Sequence, residues 1–204
     1  MPFQVGDVVV HPAHGVGHIM KLDEKRFSGQ EAGLYYEIAN EKSTVWVSVE
    51  SPEALRLRPL TLKNDLARYR SVLKSRPVPL NTDHRQRHLE VADRLKQGSF
   101  QVMCEVVRDL TARGWVKPLN EYDTVSLQRV RGRLCQEWAA SEGMSVTDAS
   151  GEVSSLLSES RKAGLDEGVI ISARPTAPAT PPPRRGQANT PSDAQSGPRA
   201  RWRT

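Results

Sequence analysis

The chain has 204 residues, 37% of them hydrophobic and 26% charged, with a formal net charge of +5. That length allows one or two domains; no apolar run of about 18 residues is present to span a membrane, and no basic-then-apolar leader marks export. From Ser172 to Thr204, six arginines (Arg174, Arg184, Arg185, Arg199, Arg201, Arg203) face one acid, Asp193, which leaves 23 of the 29 basic and 23 of the 24 acidic residues in a body that sums to zero. Any binding of nucleic acid by the body must therefore come from local clustering rather than net charge.

Val5-Gly6-Asp7 is a turn signal, followed by the β-branched Val8-Val9-Val10. His11-Pro12 stops a helix, because the residue before proline is held extended. Gly15 and Gly17 allow positive φ or close backbone approach as the chain re-enters. Gly17 to Leu22 predicts a second strand, Arg26 to Gln30 a turn, Leu34 to Ile38 a third strand and Ser43 to Val49 a fourth. Leu55 to Pro59 closes the set. Short strands at roughly ten-residue spacing predict a small antiparallel barrel over residues 1–59.

The period then changes from strand to helix. Leu62, Leu66, Tyr69, Val72 and Leu73 form a first helical stripe, broken by Pro77 and Pro79. Asp83 or Thr82 caps a second helix with Leu89, Ala92 and Leu95 inward and Gly98 as its stop. Ser99 caps a third, striped by Val102, Met103, Val106, Val107 and Leu110 and ended by Gly114. Asn120 or Asp123 starts a fourth, with Val125, Leu127, Val130, Leu134 and Trp138 inward. Ser145 to Asp148 reads as an acidic capping box for a fifth, carrying Leu156 and Leu157. The fold class is therefore α+β: a small antiparallel barrel, a compact five-helix bundle over 60–159, and a Pro- and Arg-rich tail over 160–204 too poor in large apolar groups to order itself.

Little points to catalysis. His11, His14 and His18 have a metal-like spacing, but Pro12, Gly15 and Gly17 rule out a helix and strand alternation does not converge all three. There is no Gly-rich phosphate loop with lysine and no G-x-S-x-G elbow. No metal, cofactor or enzymatic activity is expected. Cys104 and Cys135 fall in separate helical patterns and read as buried free thiols in a reducing cytoplasm.

The opening Val5-Gly6-Asp7-Val8-Val9-Val10-His11-Pro12-Ala13-His14-Gly15-Val16-Gly17 resembles the Tudor-like module of the CarD/CdnL family of bacterial transcription regulators, a module shared with transcription-repair coupling factors. Glu105-Val106-Val107-Arg108-Asp109-Leu110 resembles that family's A-E-V-V-R-D-L segment, and Thr44 to Val49 resembles its V-x-V-P strand, with Ser48 where proline is usual. Three ordered matches cover about residues 1–158.

The resemblance implies a non-enzymatic regulator whose barrel adds an edge strand to the β subunit of RNA polymerase. The matching residues are Thr44, Val45, Trp46, Val47 and Ser48, with Lys25 near the same interface. Alternation sets Trp46 with Thr44 and Ser48, opposite Val45, Val47 and Val49, so an exposed anchor is expected. The resemblance also implies that the bundle touches promoter DNA at the upstream edge of the bubble, with phosphate contacts at Arg85, Arg87, His88, Arg129 and Arg131. At the position of the family's minor-groove tryptophan this chain has His84, which offers less apolar area as a wedge. The run from His84 to His88 lies at a helix start, where free amides favour phosphate. The expected partners are polymerase and promoter DNA, in a cytoplasmic, nucleoid-associated monomer that stabilises the open complex. The second reading is an adaptor that binds polymerase while its bundle binds another protein.

Overall fold

The computed structural model describes residues 3–26, 31–41, 43–51 and 54–166. The proposed Arg26 to Gln30 turn and the Arg-rich tail lie largely outside these residues.

The valine run forms β1 (Val8–His11), and the chain returns as β2 (Gly15–Lys25). His11 closes the intervening turn: its Nδ1 accepts from the N–H groups of Ala13 and His14 at 3.0 and 3.2 Å. Gly15 has φ +77°, which favours glycine, and at Gly17 a Cβ would stand 2.6 Å from the Ile38 side chain. β3 (Gly33–Ala39), β4 (Thr44–Ser48) and the two-residue β5 (Arg58–Pro59) complete an antiparallel sheet in the order β4-β3-β2-β1-β5.

The expected barrel is not closed. The sheet ends in two edges, β4 and β5. β5 pairs with β1 through Val9–Pro59 and Val10–Arg58, and Pro59 has no N–H for a second ladder. The segment expected to be the closing strand spends Ala54–Arg56 on a 3₁₀ turn. One face of the sheet buries Val9, Ile19, Tyr36, Ile38, Val47, Ala54 and Leu57.

Five helices follow: α1 (Leu66–Lys74), α2 (His84–Lys96), α3 (Phe100–Val116), α4 (Glu121–Glu142) and α5 (Val146–Asp166). Asp83 caps α2, its side chain accepting from Arg85 and Gln86 N–H, and Asn120 caps α4 through the Asp123 N–H. α3 runs past Gly114 to Val116, because that glycine keeps helical geometry with Leu119 packed beside it. Three apolar residues expected inward face out: Leu62, Leu89 and Val125. On α2 the inward positions are Arg87 and Val91, and Arg87 finds a buried acid there. The helical core is built on Leu66, Leu73, Phe100, Leu110, Leu134 and Trp138.

The A-E-V-V-R-D-L-like segment is a fastener. Asp109 accepts the Val78 N–H at 3.0 Å and the Arg108 Nε at 2.8 Å. Arg108 also donates to the Val72 carbonyl and the Ser75 hydroxyl. The proline-broken link between α1 and α2 is thus tied to α3 by buried charge.

Sheet and helices meet at Glu137, which is 1% exposed. Arg58 of β5 grips both its carboxylate oxygens at 2.5 and 2.6 Å and donates from Nε to the Gly98 carbonyl at 2.8 Å. Thr61 donates to Glu137 at 2.6 Å. Arg133, one helical turn earlier on α4, donates to the Pro12 and Ala13 carbonyls of the β1–β2 turn, each at 2.9 Å.

Arg58→Ala strands the Glu137 charge, so it should lower the unfolding free energy by about 3 kcal/mol. Arg58→Met with Glu137→Leu should recover most of that loss; urea unfolding measures both. Burial raises the pKa of both Cys104 and Cys135. Neither thiol should react with an aromatic disulfide reagent in the native chain, and both should react in denaturant.

Candidate polymerase and nucleic-acid surfaces

β4 is a free edge of the sheet. The β3–β4 ladder pairs Asn40 with Ser43 at one end and Leu34 with Val49 at the other, through Asn40 N–H to Ser43 O (3.0 Å) and Val49 N–H to Leu34 O (2.9 Å). Hydrogen-bonded pairs alternate in an antiparallel ladder, so Val45 and Val47 also point their main-chain groups at β3. Thr44, Trp46 and Ser48 point theirs at the open side. The Ser48 carbonyl is occupied locally by the Ser51 N–H and hydroxyl.

Side chains follow the same alternation. Val47 is buried and Val45 and Val49 pack on the sheet core. Trp46 lies half-buried on the opposite face, with the Lys25 ammonium 3.3 Å from its ring centroid. The structure thus brings together Lys25 and Trp46, which lie far apart in sequence, in a cation–π contact beside the edge.

The second surface is where α2 and α4 begin. Arg87 is 2% exposed, and its guanidinium donates from Nε and Nη2 to Asp123 Oδ2 at 2.9 and 2.6 Å. Its Nη1 donates to the Asn81 and Thr82 carbonyls. Arg87 therefore joins the first turns of two helices and presents no charge to a phosphate. The first amides of α2 are likewise taken, since Asp83 accepts from Arg85 and Gln86. Those hydrogen bonds, the Gln86 one foremost, hold the Asp83 carboxyl below the usual carboxylate range.

His84, Arg85 and His88 are exposed on α2, and Arg129 is exposed on α4. Arg131 lies about 200° round α4 from Arg129 and donates to the Ser154 hydroxyl of α5 at 2.6 Å. It belongs to another face. Tyr122, which the sequence reading did not single out, is 67% exposed, with its ring 5.2 Å from that of His88. Its signal was its place: an aromatic in the first turn after the Asn120 cap, on the outward stripe that continues through Val125 to Arg129. Among the described residues no cluster of three or more His, Cys, Asp or Glu is placed to hold a metal, and no helix is long and apolar enough to cross a membrane.

Two family models match this chain. Residues 3–61 match the CarD-like/TRCF RID domain and residues 69–154 the CarD C-terminal domain. The chain is also similar to a Bacillus subtilis (strain 168) protein named "Putative transcription factor YdeB", with 31% identity over 148 residues, which is 70% of this chain and 94% of the relative.

Both members of the Arg87–Asp123 pair are buried, so Arg87→Ala should cost about 3–5 kcal/mol of stability. Arg85→Ala, at an exposed position two residues earlier on the opposite face of α2, should shift it by less than about 0.5 kcal/mol. Chemical denaturation distinguishes the two.

Proposed function

The chain belongs to the CarD family of bacterial transcription regulators, and on that premise we propose that it binds the β subunit of RNA polymerase through β4 and promoter DNA through the surface where α2 and α4 begin, stabilising the open complex. The observation that carries this reading is the free β4 edge, whose outward main-chain groups lie beside the Trp46–Lys25 pair. An unpaired edge supplies affinity through backbone hydrogen bonds, and an aromatic anchor supplies selectivity. The family's usual proline at the Ser48 position would leave the β3–β4 ladder intact, because that residue's N–H faces away from β3, and serine there keeps one more donor on the open edge.

On the DNA side the cations are Arg85 and Arg129, with His84 and His88 beside them and Tyr122 as an aromatic neighbour. Arg87 holds the surface in shape, and Arg131 lies on another face of α4, bonded to Ser154. His84 in place of an indole gives a weaker wedge, so the chain lengthens open-complex lifetime less than a tryptophan-bearing relative would. Its place of action is the cytoplasm, on nucleoid-bound polymerase, as a monomer.

Open-complex lifetime on a bacterial promoter tests this reading. The wild-type chain should lengthen it. Arg85→Ala with Arg129→Ala should remove the effect while leaving polymerase affinity intact, and His84→Trp should increase it. Trp46→Ala should weaken binding to polymerase by about tenfold or more with no change in urea midpoint. A chain that binds polymerase but leaves the lifetime unchanged fits instead the adaptor reading, with a protein on the α2–α4 surface.

A further inference from the structure

A cleft of about 440 Å³ lies between the β1–β2 turn and the helices, a size in the range of small-ligand sites. Its walls are apolar: Val10 and Val16 from the sheet side, Val91 and Leu95 from α2, and Val130 from α4. Its charges are one-sided. Arg56, Arg58, Lys96, Arg129 and Arg133 line it, against the single carboxylate of Glu137. That carboxylate is already held by Arg58 and Thr61.

The other cations are not neutralised within the cleft. Lys96 meets Asp93 at 3.5 Å, but Asp93 does not line the cleft. Arg56 and Arg129 are exposed, and among the described residues neither makes a hydrogen bond or ion pair. Arg133 spends two of its nitrogens on carbonyl oxygens, which carry no formal charge. Burial, then the neighbouring Arg129 charge, holds its guanidinium below the ordinary arginine range. Like charges one helical turn apart beside an apolar wall favour an anion that also has an apolar body.

We propose that this cleft binds a small organic anion, a phosphate, sulfonate or carboxylate carried on a flat apolar body. The anion sits between Arg129 and Arg56, and the body lies on Val16, Val91 and Val130. The occupant touches both the sheet and α4 beside the Arg58–Glu137 pair, so it bridges the two parts of the chain that carry the β4 edge and the α2–α4 surface. The site shares Arg129 with the DNA surface proposed above and so rests in part on that reading, but its test contains neither polymerase nor DNA, and Arg56 and the apolar wall belong to the cleft alone.

The probe is 8-anilinonaphthalene-1-sulfonate, titrated into the full-length chain and followed by fluorescence and calorimetry. The expected result is one site per chain, competition by inorganic pyrophosphate, and a loss of affinity of about tenfold or more in the Arg56→Gln/Arg129→Gln variant. Lys117→Gln, an exposed cation outside the cleft, should bind as the wild type does. Equal affinity in the double variant, an equal loss in Lys117→Gln, or no competition by pyrophosphate in the wild type would overturn the site. The pyrophosphate arm needs no variant, and urea unfolding of each variant separates lost binding from lost fold.

Discussion

A single buried carboxylate fixes how the two parts of this chain meet. Glu137 on α4 is buried, and its charge is matched by Arg58 from a strand only two residues long. A β-strand that short, paired with one neighbour, has little of its own to hold it in place. The ion pair and the Thr61 hydroxyl supply the missing constraint. β5 consequently serves less as a member of the sheet than as the strap by which the sheet is bound to the helices. The Arg133 bonds to the β1–β2 turn repeat the device on the next turn of α4.

The same economy runs through the helices. Arg87–Asp123 is a buried pair that joins α2 to α4, Arg108 and Asp109 of α3 hold Val72, Ser75 and Val78 of the α1–α2 link, and the half-exposed Arg70 of α1 reaches Glu142 of α4 and Glu152 of α5. Pairs with a buried member, such as Arg87–Asp123 and Arg58–Glu137, add less net stability than their Coulomb energy suggests, since each charge must first leave water. They do penalise any arrangement that separates the partners. The inward face of α2 is built around an arginine, so a geometric penalty on wrong packings matters there as well as apolar area. This also explains why counting cations along the sequence overstates the charge available to DNA. Arg58, Arg87 and Arg108 are consumed inside the fold.

The strands and most helix ends were legible because each rests on local chemistry: valine runs, glycines at the hairpin, Asp83 and Asn120 as caps. The placement of Trp46 on the face opposite Val45 and Val47 followed from alternation alone, but not its degree of exposure: the indole is half-buried, with Lys25 over its ring. What failed was non-local. Barrel closure depends on whether β4 finds a partner, which no local pattern in Leu55 to Pro59 reveals. The inward rotation of Arg87 depends on Asp123, 36 residues away. Leu89 was assigned inward because leucine is apolar, but the stripe of α2 is set by the acid its arginine must reach. Tyr122 went unseen because an exposed aromatic has no periodicity to betray it.

These two kinds of interaction divide the molecule's labour. Where charge is buried, it is paired, and the residues act as fasteners. Where charge has no partner among the described residues, at Arg85 beside the capped start of α2 and at Arg56 and Arg129 around the cleft, the surrounding structure is already held by other contacts. Unpaired cations on a scaffold that does not need them are the ones free to meet an anion. Arg129 stands at the border of both surfaces, one turn before Arg133, which fastens the sheet. An anion at Arg129 therefore acts next to the joint between sheet and helices rather than on an isolated patch.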